Sequence, residues 1–162
     1  MSNKPGSVNA RYLILVSVLV VIVPVLGAFL DMGAEAQSLP FFALFGKWFI
    51  FSAVGLRLFV AGLQQTANPA FTAREIFHFN GTESFPVVRE LGFANLCFGA
   101  IGIFSLFLPS WRIVSAFGSG LYYGLAALLH VIKKPAGTNE QFALVTDVLI
   151  FGFLLVYCIR MF

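Results

Sequence analysis

Apolar residues come in five long runs along this chain, at 12–30, 41–63, 86–108, 111–132 and 142–162, parted by short polar breaks. Each run is close to the roughly 20 residues that a helix needs to cross hydrocarbon. The pattern predicts an all-α integral membrane protein, a bundle of five transmembrane helices. The longest break, 64–85, has room for one short surface helix. There, Asn68-Pro69 reads as a helix start, Thr72-x-x-Glu75 as a weak capping box, and Asn80-Gly81 as a turn. Phe71, Ile76, Phe77 and Phe79 would give that helix an apolar side lying on the membrane surface. Two runs carry small residues at helical spacing: Gly92, Asn95, Gly99 and Gly102 in the third, and Ala116, Gly120 and Gly124 in the fourth. Such stripes let helices approach closely, and the tight Pro109-Ser110 turn predicts that these two faces meet.

Composition sharpens this reading. With 59% hydrophobic residues and 20 Phe in 162 residues, a soluble fold could not cover its apolar surface. The length predicts one transmembrane domain spanning 1–162. A net charge of +3 with scattered basic residues leaves no nucleic-acid footprint. Cys97 and Cys158 belong to no C-x-x-C pair and read as small packing residues rather than a thiol relay. The sequon Asn80-Gly81-Thr82 reads as a turn. Ala34-Glu35-Ala36 resembles a cleavage site, yet the run before it exceeds a signal-peptide core, so the first helix is read as retained.

Charge sets the expected orientation. If all five runs span, Lys4, Arg11, Arg74, Arg89, Lys133 and Lys134 gather on one side, and Arg112 and Arg160 on the other with Asp31 and Glu35. The positive-inside rule then predicts a cytoplasmic N-terminus and an external C-terminus. Trp48, Trp111, Tyr12 and Tyr157 stand near run ends as interface anchors.

Charged groups inside a spanning helix usually face the bundle interior and are functional candidates. Here they are Lys47, Arg57, Glu90, His130 and Asp147, with Gln64 and Asn95 as neutral companions. Lys47 and Arg160 sit near run ends, where a long stem reaches the headgroups. The others converge: at about 1.5 Å per residue, Arg57 lies roughly 9 Å inside its helix end, Glu90 and Asp147 roughly 6–8 Å, and His130 less. Ala53, Arg57, Ala61 and Gln64 share a helix side, which turns Arg57 toward other helices. Matched depth predicts an Arg57 salt bridge to Glu90 or Asp147, with Glu90 favoured. The second carboxylate would pair with His130 or Arg89, or be neutral. Asn95 points elsewhere than Glu90 and reads as an interhelical hydrogen bond. Neither a haem-binding pair of imidazoles nor a metal-ligand spacing is present, and no catalytic signature is complete.

From Leu56-Arg57-Leu58 onward the chain resembles the DoxX-like group of small bacterial membrane proteins, in particular an uncharacterised family within it. The resembling pieces are Arg57 with Gly62, Arg89-Glu90-Leu91-Gly92-Phe93-Ala94-Asn95 with Gly99, Leu129-His130, the Asn139 loop and Asp147. The resemblance implies a bacterial inner-membrane protein, with a four-helix bundle built from runs two to five and the first run added. It also implies links to quinol oxidation, redox-stress complexes or receptor assembly. Relatives carry a His near the end of the first bundle helix, where this chain has Leu63-Gln64. The leading expectation is a non-catalytic protein binding a lipid or quinone at Arg57, Gln64, Glu90, Asn95, His130 and Asp147. The alternatives are an accessory subunit of a larger redox or transport complex, and a proton-coupled transporter with Glu90, Asp147 and His130 as its relay. No particular cofactor is indicated.

Overall fold

The computed structural model describes residues 9–34, 39–135 and 137–161. It holds five helices long and apolar enough to cross a membrane: α1 (Ala10–Gly33), α2 (Phe41–Ala67), α3 (Phe85–Phe104), α4 (Trp111–Lys133) and α5 (Thr138–Met161). Lys4, Glu35, Ala36 and Gln37 lie outside the described residues. Prolines punctuate the chain: Pro40 precedes α2, Pro86 occupies the first turn of α3, and Pro69 follows the end of α2 at Asn68. At the end of α4, Lys134 takes a φ of 60° just before Pro135.

Two of the five helices are interrupted by π-helical turns, Val18–Ile22 in α1 and Ile50–Leu56 in α2. Such turns widen the hydrogen-bonded ring by one residue and tend to mark functional regions. The cause in α1 is visible: Pro24 has no N–H to close a ring on the carbonyls behind it. The carbonyl of Leu19 instead accepts a hydrogen bond from Ser52 Oγ at 2.6 Å, out of the π turn of α2. In hydrocarbon no water would satisfy that carbonyl, so the cross-helix hydroxyl is what makes the break tolerable. Ala53, in the second π turn, has its carbonyl bonded by the Tyr123 hydroxyl of α4 at 3.1 Å. Replacing Tyr123 by Phe is expected to destabilise the bundle by about 1–3 kcal/mol, since the acceptor stays buried. Thermal unfolding in detergent, beside the wild-type protein, checks this.

The core joins Val16 and Val20 of α1, Phe49, Ile50, Ala53, Val54 and Leu58 of α2, Ala116 and Tyr123 of α4, and Ile150, Leu154 and Tyr157 of α5. The first helix thus contributes to the same core as the other spans. Part of the Phe content is spent on an aromatic stack toward one end, where Phe49 and Phe153 ring centroids stand 4.2 Å apart. Much of the rest faces outward: Phe29, Phe93, Phe104, Phe107 and Phe117 are exposed, as suits a lipid-facing surface.

The small-residue stripes do not meet each other, contrary to expectation. The α3 stripe packs on α2: a Cβ on Gly102 would stand 2.6 Å from Gly55 Cα, and one on Gly99 2.5 Å from Phe59 N. The α4 stripe packs on α5, with Gly124 against Phe151 and Gly120 against Leu154. A short connection makes α3 and α4 neighbours, but it does not decide which face each turns to the other. Their actual contact is aromatic, with Phe98 and Tyr122 stacked at 5.4 Å.

The 64–85 segment contains a π-helical turn at Thr72–Ile76. The expected capping box is not formed, because Thr72 is buried within the turn rather than placed at its cap. Phe71 leans on Tyr12 at 6.1 Å, and Lys133 lies over the rings of Phe77 and Phe79. These contacts tie the segment to α1 and α4. Gly81 takes a φ of 94°, the left-handed geometry expected of the Asn80-Gly81 turn.

A buried ion pair as the candidate functional site

Four helices converge on Arg57. Its Nη2 donates to Asp147 Oδ1 at 2.9 Å and to Thr146 Oγ1 at 3.0 Å, both on α5. Its guanidinium lies over the Tyr123 ring of α4, 5.1 Å from the centroid. From α1 the phenol of Tyr12 comes close to the same group without reaching hydrogen-bond geometry with Nη1, and the Tyr12 ring is braced edge-on by Phe142 at 5.8 Å. The pair is nearly closed off, with side chains only 10% and 9% exposed. Within it, Arg57 Nη1 is buried and has no hydrogen-bond partner among the described residues.

The sequence of α5 explains why this helix supplies the acid. Its buried positions are Asn139, Glu140, Ala143, Thr146, Asp147, Ile150, Leu154 and Tyr157, a repeat of three and four residues along one face. Asp147 therefore sits in the middle of the packed stripe. Glu140, two turns earlier on the same face, forms a second group: His130 Nδ1 lies 3.4 Å from one of its oxygens and His78 Nε2 3.3 Å from the other. Nearby, Asn139 Oδ1 accepts from the backbone N–H of Asn9, tying the start of α1 to the start of α5. A third group pairs Asn95 Nδ2 with Gln65 Oε1 at 2.7 Å across α3 and α2. All three groups lie in the half of the bundle where α1, α3 and α5 begin.

Of the six residues singled out from sequence, Arg57 and Asp147 are brought into direct contact, His130 lies on the neighbouring group, and Asn95 makes an interhelical bond. Glu90 and Gln64 are not part of any of these groups; both are exposed. Glu90 stands midway between the buried Val88 and Gly92, about 200° around the helix from each, so the packing of α3 turns it outward. The Arg57 partner is thus Asp147, not the favoured Glu90. Gln64 shares the Arg57 side of α2 but lies about 10 Å further along, past the packed core. Its neighbour Gln65 is the buried amide.

Other expectations also shift. Lys47 does not simply reach for headgroups: its Nζ is 2.6 Å from Asp31, whose carboxylate also accepts from Trp48 Nε1 at 2.8 Å. This cluster staples α1 to α2 at the opposite end of the bundle. Cys97 is exposed rather than packed inside. Glu140, Gln65, Thr146, Tyr12 and His78 were not assigned to a site from sequence. The one available signal was spacing, since Glu140 and Asp147 are seven residues apart and so share a helix face. Among the described residues no group of three or more His, Cys, Asp or Glu could hold a metal ion.

The architecture defines a class: a five-helix bundle fit to cross a membrane, with a buried Arg–Asp pair inside it. The chain belongs to the family of unknown function DUF6790, whose sequence profile matches residues 14–161 and so takes in all five helices. No curated protein and no solved structure matches the chain.

Proposed function

We propose that this protein is a non-catalytic multi-pass membrane protein that binds the polar head of a small amphipathic molecule, a lipid or a quinone, at Arg57. The observation that carries the reading is the buried Nη1 of Arg57, a donor without an acceptor beside a pair that is otherwise satisfied. Buried donors are almost always paired, and one left over at a nearly closed charged centre marks a place for an external acceptor. Asp147, Thr146, Tyr123 and Tyr12 hold the guanidinium in position, while His130 and Asn95 lie on the adjoining groups. The likeness to the DoxX-like group belongs to this proposal, because Arg57, Asn95, His130 and Asp147 are among the residues that carry it. Native mass spectrometry of the purified protein is expected to show a retained small molecule that Arg57→Ala releases. A bare mass in both proteins sinks the reading.

In this proposal the protein lies in a bacterial inner membrane with its N-terminus in the cytoplasm. The end of the bundle near Asn9 displays Arg11, Arg74, Arg89, Lys133 and Lys134, all exposed, which is the arrangement the positive-inside rule favours there. Reporter fusions are expected to place the N-terminus inside and the C-terminus outside; both termini reporting the same side overturns it. An accessory subunit would dock on its complex through an outward stripe of small residues, whereas the α3 and α4 glycines pack inward on α2 and α5.

A further inference from the structure

We infer that the Arg57 centre takes an uncharged ligand, one that presents a carbonyl or similar neutral acceptor, and that it rejects anionic headgroups. The inference rests on the binding reading above and narrows it. An arginine in a membrane interior invites the opposite assumption, that it holds a phosphate or carboxylate. The charge count around it argues otherwise.

Arg57 is already neutralised by Asp147 at 2.9 Å. The titratable groups next along are His130 and Glu140, in contact with each other at 3.4 Å. Even with His130 protonated, the described residues of these two groups set two cations, Arg57 and His130, against two carboxylates, Asp147 and Glu140, and leave no positive charge over among themselves. His78, the remaining imidazole, shares that same Glu140 and is 47% exposed. The other neighbours of the guanidinium, Thr146, Tyr123 and Tyr12, are neutral. An anion placed here would be an unmatched buried charge, which is the costly case in a low-dielectric interior. A neutral acceptor brings no such penalty.

What the centre does offer is a hydrogen-bond donor. Nη1 carries N–H groups and no lone pair, so its partner must be an acceptor. The Tyr123 hydroxyl donates to the Ala53 carbonyl, which fixes it toward the α2 backbone. The rings of Tyr123, Tyr12 and Phe142 around the pair make its surroundings apolar, which suits a neutral rather than a charged group on that acceptor. Nη1 itself is buried, so the ligand's acceptor reaches it only when the side chains around the pair move aside.

The test uses the full-length protein in a neutral detergent, with thermal unfolding and native mass spectrometry as readouts. The probes are decylubiquinone, a neutral dione; dioleoylglycerol, a neutral diester; and decanesulfonate, a permanent anion. The wild-type protein is expected to bind at least one neutral probe at least about tenfold more tightly than decanesulfonate, given the cost of an unmatched buried charge. Dione and diester arms separate a quinone-like source from a glycerolipid one. Arg57→Gln should abolish the neutral binding. Asp147→Asn, which leaves Arg57 uncompensated, should gain decanesulfonate binding. Should that variant not fold, the wild-type comparison decides alone. Decanesulfonate binding the wild type as well as the neutral probes overturns the charge rule while sparing the site. No probe distinguishing wild type from Arg57→Gln overturns the site itself, and this inference with it.

Discussion

Asp147→Ala is expected to be among the most damaging single substitutions in the bundle, costing about 3–5 kcal/mol, because it strands Arg57 as a buried, unpaired cation. Arg57→Ala should cost a similar amount by leaving Asp147 without its cation. The pair itself is not the source of a large net gain, since both groups had to leave water. Its members are held by each other's presence. The double variant Arg57→Met, Asp147→Leu should therefore recover most of the loss and remain folded. Reversible unfolding in mixed micelles would measure the cycle. Additive single losses in the double variant would show that the two side chains are not coupled, and would contradict the 2.9 Å contact.

That experiment also separates folding from function. A refolded double variant keeps the shape of the interior while removing both the donor and its counter-charge. If the ligand reading holds, this protein should be stable and unable to bind. A variant that kept its retained molecule would move the binding site elsewhere in the bundle.

The sequence made the spans readable because hydrocarbon thickness imposes a length on every one of them. It also made Arg57 and Asp147 readable by type, since a charge within an apolar run has to face inward or find water. Partner choice was a different matter. Depth along the helix puts Glu90 and Asp147 at similar heights, and height carries no information about rotation. The rotation of α3 is set by Gly92, Gly99 and Gly102 lying against the α2 backbone, which directs Glu90 away. Nothing in the hydrophobic pattern says whether a glycine stripe serves the preceding helix or the following one.

The π turns hid a second piece of the site. Ala53 and Arg57 look like a plain i, i+4 pair, but the turn Ile50–Leu56 carries an extra residue and widens the helix there. Helical counting across it misplaces one side against the other. Pro24 was a legible warning for α1, whereas α2 has no proline within its span. Its π turn is held from outside, by Ser52 bonding Leu19 and Tyr123 bonding Ala53. Tyr123 thus has two duties. Its ring lies over the Arg57 guanidinium and its hydroxyl holds the backbone one turn away, so the geometry of the polar centre is tied to the irregular stretch of α2.

The other large effect is expected where α2 and α3 touch through glycine. Gly99→Leu should abolish the folded bundle or lower its stability by more than the usual 1–3 kcal/mol, roughly, of an overpacked core. The reason is what the new side chain would meet. A Cβ at position 99 would stand 2.5 Å from Phe59 N and 2.8 Å from Phe59 Cα, and at Gly102 the nearest atoms are again backbone, of Gly55. A flexible side chain could move aside; a helix backbone moves only as a whole. Pushing α2 away would also pull Gln65 from Asn95, now 2.7 Å apart, and unseat Arg57 from α5. Gly152→Leu offers the matched control, since a Cβ there has nothing within 4 Å. It should leave unfolding and yield unchanged. Monodispersity in mild detergent and the unfolding midpoint would compare the two. Equal behaviour of Gly99→Leu and Gly152→Leu would mean that α2 and α3 are not packed backbone to backbone, and the placement of Arg57 would have to be rebuilt from a different rotation of α2.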